Sequence, residues 1–350
     1  MKQRWMTLAG AVGAALSVWS SPAAAYFTTE LPTPAGQDTE FNTLHRPPYA
    51  AEYSGVVRLR LYNLAGASPT VCTGSLLAGG QYVLTAAHCV TDGTGKVDRG
   101  NGLAYFGMDP SKSITSNESI RFSSSAQIFV KPGFDGSTSN GNDIALIKLD
   151  SEARAEINRY TIYTGTDEVG QVSDKVGWGA FGSGAVGDAN SKSGTDLIKG
   201  KNRWEMTGEQ FRAGGASDLL YYDFDNGLAA NDSFGLVYGL TDLGLGKDEV
   251  LAGGGDSGGP SFLNGVIAGV VSHGTYLSQG DYLAGRNKSF GEYEADTRVS
   301  SHAQWVASIA GNQVLAGPVP EPSTYALLLG GLAVVGWARR RMAPADVSQR

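Results

Sequence analysis

From about Tyr53 to Ala310 the chain runs as short apolar or alternating stretches separated by clusters of Gly, Asn, Asp and Ser. Val56-Val57-Arg58-Leu59-Arg60-Leu61, Tyr82-Val83-Leu84, Ile144-Ala145-Leu146-Ile147-Lys148-Leu149 and Val266-Ile267-Ala268-Gly269-Val270-Val271 have the length and β-branched character of strands. Turn chemistry bounds most of them, so each is expected to be a strand. Between Ser300 and Ile309, Trp305, Val306 and Ile309 stand at helical spacing and predict a terminal helix. Gly182 to Gly200 is poor in apolar residues and reads as a surface loop. Tyr26 to Pro48, rich in Pro and Thr, reads as a propeptide or loose arm. No internal repeat is visible. The expected fold class is all-β.

Both ends carry a different pattern. Lys2 and Arg4 precede an apolar run from Leu8 to Trp19, and Ala23-Ala24-Ala25 then precedes Tyr26. This is the three-part layout of a secretory signal peptide, with cleavage expected after Ala25. At the other end Val319-Pro320-Glu321-Pro322-Ser323 opens an apolar stretch from Tyr325 to Ala338, closed by Arg339-Arg340-Arg341. That stretch is marginal for a bilayer span, which takes ~20 apolar residues, and the arginines after it favour the cytoplasmic side. The order Pro-Glu-Pro, apolar segment, Arg cluster resembles the PEP-CTERM sorting signal of exopolysaccharide-producing Gram-negative bacteria. The resemblance implies recognition by exosortase-type sorting machinery, transient anchoring in the inner membrane through the C-terminal segment, and release or attachment at the cell surface or extracellular matrix.

Composition then narrows the function classes. Of 350 residues, 49 are Gly without a collagen-like period, which fits many turns, and 41% are hydrophobic, enough for a sizeable core. The formal net charge is -7. Lys2 and Arg4 contribute +2, and Arg339, Arg340, Arg341 and Arg350 against Glu321 and Asp346 a further +2, so the body carries about -11. An acidic body argues against nucleic acid as a partner, because phosphate binding needs a basic footprint. Two cysteines exclude a four-cysteine zinc site and leave room for one bridge, which export makes chemically reasonable.

Three segments carry candidate chemistry. His88 closes the apolar run in Leu84-Thr85-Ala86-Ala87-His88-Cys89. Asp143 stands directly before an apolar strand in Asn142-Asp143-Ile144-Ala145-Leu146, where burial without a partner is costly. Ser257 lies in Gly254-Gly255-Asp256-Ser257-Gly258-Gly259-Pro260, where glycines permit a tight turn and close approach of a substrate. Taken singly, each has a plain structural explanation. Together, in the order His, Asp, Ser, and with Val176-Gly177-Trp178-Gly179 and Ala295-Asp296-Thr297-Arg298-Val299, they resemble the chymotrypsin-like (trypsin-type) serine peptidase family over roughly Tyr53 to Ala310.

The resemblance implies two six-stranded antiparallel Greek-key β-barrels and a C-terminal helix. It implies a serine endopeptidase acting on protein or peptide substrates through an acyl-enzyme, with no metal or organic cofactor. His88 would be the general base, Asp143 its orienting partner, Ser257 the nucleophile, and the N–H groups of Gly255 and Ser257 the oxyanion hole. Cys72 and Cys89 would form the bridge beside His88. Asp256 would receive the ammonium of a freshly cut N-terminus, but no Ile-Val-Gly-Gly-like start lies between Tyr26 and Tyr53; counting back from His88 places that terminus near Glu40 to Pro48. For the substrate pocket, Leu251 falls at the base, Ser272, His273 and Gly274 on the strand facing the substrate, and Glu294 on a wall or in a solvated turn. The expected organisation is a signal peptide over 1–25, a propeptide or N-terminal arm over 26–50, and a peptidase domain over 51–310. A linker with the Pro-Glu-Pro motif over 311–324 and an apolar sorting segment with the Arg cluster over 325–341 follow. A catalytically silent surface protein for adhesion or matrix binding on the same fold is the alternative; the intact His88, Asp143 and Ser257 weigh against it.

Overall fold

The computed structural model describes residues 26–33, 39–46, 51–65, 69–107, 118–192, 196–277 and 279–316. The expected signal peptide and the C-terminal sorting segment lie outside the described residues. Alternation of apolar and polar positions builds the first half: in the strand Val56–Asn63, Val57, Leu59 and Leu61 are fully buried while Arg58 and Arg60 remain partly exposed. Burying each such aliphatic side chain contributes about 1.5–3 kcal/mol. Seven antiparallel strands form this half, in the order Ser119–Phe122, Arg99–Tyr105, Val56–Asn63, Thr70–Leu76, Tyr82–Thr85, Ala145–Lys148, Ile128–Val130.

The second half is also a seven-stranded antiparallel sheet. Its order is Ile198–Arg203, Val172–Gly177, Pro260–Leu263, Val266–Tyr276, Glu292–Arg298, Leu219–Asp223, Met206–Thr207. Each half thus has one strand more than the expected six, and short edge elements such as Met206–Thr207, two residues long, enlarge the sheets. The terminal helix Ala303–Ala310 follows a 3-10 turn Val299–His302 and buries Ala303, Val306, Ala307 and Ala310. The sequence placed this helix slightly early, because Val299–His302 has the tighter winding.

Two stretches depart from expectation. Gly182 to Gly200 is not a loop throughout: Phe181–Ser183 and Gly187–Lys192 pair as a hairpin, and Ile198–Arg203 is an edge strand of the second sheet. Edge strands can be polar on the solvent side, so they carry no strong apolar period. The described parts of residues 26–50 pack into the body rather than trailing from it. Phe27–Thr28 is inserted between Phe181–Ser183, parallel, and Val250–Leu251, antiparallel. Tyr26, Phe27, Phe41 and His45 are buried, the last two on the short helix Glu40–His45 that Thr39 caps. Among the described residues no helix is long and apolar enough to cross a membrane.

Candidate active site

The site lies where the two sheets meet. Strand Tyr82–Thr85 runs into a 3-10 turn, Ala87–Cys89, which presents His88 at the edge of the first half. Cys89 closes that turn and is bonded to Cys72 on strand Thr70–Leu76, so the covalent bridge that the family resemblance implied holds the turn against the sheet.

Asp143 is wholly buried and its carboxylate is surrounded by donors. Oδ2 is 2.7 Å from His88 Nδ1 and accepts a 2.6 Å hydrogen bond from the Ser272 hydroxyl; Oδ1 accepts the His88 backbone N–H at 2.8 Å. The Thr297 hydroxyl donates to the Asp143 carbonyl at 3.0 Å. Burial alone would raise the Asp143 carboxyl, but the His88 charge and these hydrogen bonds outweigh it and lower its pKa. For His88 the balance runs oppositely. Burial would depress the imidazolium, yet the charge and hydrogen bond of Asp143 raise its pKa above the ordinary value. Because Asp143 accepts at Nδ1, Nε2 is the nitrogen left to face a partner.

Ser257 is half-buried on the turn Gly254–Gly258 and is fixed through its backbone. Its carbonyl accepts the Thr73 N–H at 2.9 Å, and the Thr73 hydroxyl donates to the Gly255 carbonyl at 2.9 Å. Thr73 belongs to the first sheet, so one residue ties the serine turn to the half that carries His88. The turn needs glycine at two places. Gly255 has φ +100°, and at Gly258, φ +82°, a Cβ would sit 2.1 Å from the Thr85 hydroxyl oxygen. Among the described residues neither the Gly255 nor the Ser257 N–H donates a hydrogen bond, and Ser257 Oγ makes none to His88. Catalytic hydrogen bonds commonly tighten only when substrate is present.

The residues expected in the substrate pocket have divided roles. Ser272 turns toward Asp143 instead of facing substrate alone. His273 is half-buried, within 3.5 Å of the Tyr221 hydroxyl, and burial above all pushes its pKa down to about 4. Leu251 is fully buried. Glu294 is no solvated turn residue: it lies on strand Glu292–Arg298 opposite Gly274, almost fully buried. Its Oε2 accepts from the Tyr222 hydroxyl and the Ala252 N–H, each at 2.9 Å, and its Oε1 from Lys288 at 2.6 Å. Glu294 therefore links the strand carrying Gly274 to the segment just after Leu251, with an ammonium already on it. Lys288 was not legible, because it lies in a Gly- and Asn-rich segment with no strand pattern.

Asp256 is wholly buried beneath the turn, accepting N–H donors from Gly179 at 2.9 Å and Gly253 at 2.8 Å. Burial pushes its carboxyl up to about 7. Beside it lies Tyr26, fully buried, with a phenol that has no hydrogen-bond partner. A Cβ on Gly177 would meet both groups, Asp256 Oδ1 at 2.1 Å and Tyr26 Cε2 at 3.1 Å. Of the expected window for the cut terminus, the described part, Glu40 to Arg46, forms the helix Glu40–His45 and its cap. Phe27 pairs with Leu251, six residues before Ser257, which places Tyr26 next to this turn.

Comparison with known proteins bears on the family and the fold. Residues 50–216 match the Trypsin family and residues 318–341 the PEP-CTERM protein-sorting motif. The chain is 30% identical over 255 residues to beta-fibrinogenase brevinase of Gloydius blomhoffii, covering 71% of this chain and 89% of that protein. It is 29% identical over 251 residues to snake venom serine proteinase 14 of Crotalus adamanteus, covering 69% and 79% respectively. The solved structure titled "HL collagenase structure at 1.7A resolution" superposes with a TM-score of 0.53 at 19% identity, over 76% of this chain and 97% of that one, a likeness of fold. The chain belongs to the trypsin family of serine endopeptidases and ends in a PEP-CTERM sorting motif.

Proposed function

We propose that this endopeptidase cleaves protein substrates outside the cytoplasm through a His88–Asp143–Ser257 triad and an acyl-enzyme. The observation that carries the reading is the buried Asp143 carboxylate on His88 Nδ1 at 2.7 Å, with the Ser257 turn tied to the same sheet through Thr73. A serine hydroxyl needs an adjacent base to attack at neutral pH. His88 Nε2 takes the Ser257 proton as Oγ bonds to the scissile carbonyl carbon. Asp143 holds the ring in the required tautomer and stabilises the imidazolium, which then protonates the leaving amine. The undonated N–H groups of Gly255 and Ser257 receive the oxyanion; removing one such donor costs about 3–4 kcal/mol of transition-state stabilisation. Water then releases the acyl group by the same steps.

Switching on belongs to the same reading. Removal of a signal peptide after Ala25 places an α-ammonium on Tyr26, the buried residue beside Asp256, and export itself then completes the site without a separate propeptide cut. The PEP-CTERM motif supports handling by exosortase-type machinery, with transient membrane anchoring through the C-terminal segment and delivery to the cell surface or matrix.

A fluorophosphonate probe tests the triad directly. The mature protein is expected to be labelled and Ser257→Ala unlabelled. Labelling that survives Ser257→Ala, or none in the mature wild type, overturns the assignment and favours a silent binding protein on the same fold.

A further inference from the structure

Away from the triad, the second half buries more negative charge than its described basic groups neutralise. Glu205 directly precedes strand Met206–Thr207, which pairs with Leu219–Asp223, so the hairpin brings Glu205 beside Asp223. The chain then turns, and Asp225 returns to the same spot. One carboxylate oxygen from each of Glu205, Asp223 and Asp225 lies within 4.8 Å of the other two. Asp223 is fully buried and Asp225 is 3% exposed, and the Oδ1 atom of each has no hydrogen-bond partner. The other Asp223 oxygen is occupied by the Ser233 hydroxyl at 2.9 Å and the Phe234 N–H at 2.8 Å. Those two bonds leave Oδ1 as the atom available to a ligand.

The surroundings deepen the imbalance. Glu249, 1% exposed, stands behind Asp225, with Oε1 3.4 Å from the Asp225 nitrogen and Oε2 accepting the Leu245 N–H at 2.7 Å. Asp232 and Asp242 add negative field, and Arg203 is engaged by Asp242 at 2.7 Å. Among the described residues no Lys or Arg bonds to Glu205, Asp223 or Asp225. Unpaired buried carboxylates are costly, and either protons or a cation must relieve them. Burial and then mutual repulsion raise the Glu205 and Asp225 carboxyls, and burial raises that of Asp223.

We propose that Glu205, Asp223 and Asp225 bind a hard divalent cation, calcium, that fastens the segment Phe224–Glu249 to the sheet. The spacing suits it: oxygens bonded to calcium at about 2.3–2.6 Å lie at most about 4.6–5.2 Å apart across the ion. Three carboxylates leave positions for water in a shell of about 6–8 ligands. No nitrogen or sulfur donor is offered to a softer metal, and magnesium demands a tighter octahedron with shorter bonds. The segment it would hold runs into Val250–Leu251, the strand paired with Phe27 and leading to the Ser257 turn. The role is structural; the ion does not touch the triad.

Calcium titration of the chelator-treated mature protein, carrying Ser257→Ala to prevent self-cleavage, tests this. Thermal unfolding and terbium luminescence excited through Tyr221 and Tyr222 are the readouts. The expected result is a Tm rise of several degrees with a midpoint on the order of 0.1–1 mM, the range of extracellular calcium modules, and terbium emission that calcium displaces. Asp225→Asn and Glu205→Gln are each expected to weaken the response at least tenfold. By removing one of three like charges, each should also raise the Tm measured in chelator, which separates loss of the ion from loss of the fold. No Tm rise and no terbium emission above that concentration range overturns the proposal. So does a response that survives both substitutions, and an equal response to magnesium overturns the calcium assignment. Fluorophosphonate labelling of the protein with Ser257 intact reads the triad independently.

Discussion

At the scale of single residues, Asp143 organises the site because it has more donors than its burial would tolerate losing. His88, Ser272 and the His88 backbone all point at one carboxylate. The charged imidazole is favoured by this arrangement, so His88 gives up its proton only above the ordinary histidine value of 6.5. The base must be neutral to act, and kcat/KM should therefore rise with pH through a midpoint above that value. Asp143→Asn should lower kcat on the order of 10⁴-fold, as tautomer control is lost; a drop under tenfold, or a midpoint at or below 6.5, contradicts the triad. Lys288 and Glu294 set a second residue-scale expectation. With Lys288 bonded to Glu294, the carboxylate expected at the pocket is already paired, and little preference for basic substrates is predicted. Lys288→Ala should free it and raise kcat/KM for peptides with Arg or Lys before the scissile bond about tenfold or more, given the worth of a charged hydrogen bond. A peptide library measured on both proteins checks this, and an unchanged ratio removes Glu294 from the pocket.

At the scale of elements, a strand of two residues has a long reach. Phe27–Thr28 holds Phe181–Ser183 and Val250–Leu251 together, and it delivers Tyr26 to Asp256. Burial leaves the Asp256 carboxyl at about 7, half-protonated near neutrality, while the residue before Tyr26 is still attached. A new α-ammonium there, with an ordinary pKa of about 7.7–8.0, would pull Asp256 down and itself be raised. The pair is lost as pH climbs through the raised ammonium pKa, so activity should fall again on the alkaline side. N-terminal sequencing of the mature enzyme should begin at Tyr26, and one extra residue ahead of it should cut kcat/KM at least tenfold. Full activity with that extension removes the role assigned to the terminus.

At the scale of the molecule, two half-barrel sheets meet at a seam that Thr73 crosses, with Trp178 donating its ring N–H to the Val56 carbonyl nearby. What the sequence made legible was local. His88, Asp143 and Ser257 each sit in a short run whose glycines and apolar neighbours constrain the backbone, and the core strands alternate or run apolar. What it hid was pairing over distance. Ser272 could be placed beside substrate, but nothing in Val271-Ser272-His273-Gly274 pointed its hydroxyl at Asp143. The hairpin within 182–200 is polar on its exposed face, so its periodicity was absent. Tyr26 and Phe27 are too few to show any period, and Glu205, Asp223 and Asp225 converge only once two strands have paired.

That first strand also sets an order of events. Thr29, directly after it, bonds to Gly246, 217 residues further along, so the start of the domain is tied to a point well into its second half. Contacts so far apart in sequence close slowly. A chain emerging across a membrane from its N-terminus must wait for the late strand before it can close the sheet around Phe27. Under the proposed export, the sheet that holds Tyr26 beside Asp256 is completed only after the late strand has followed it across.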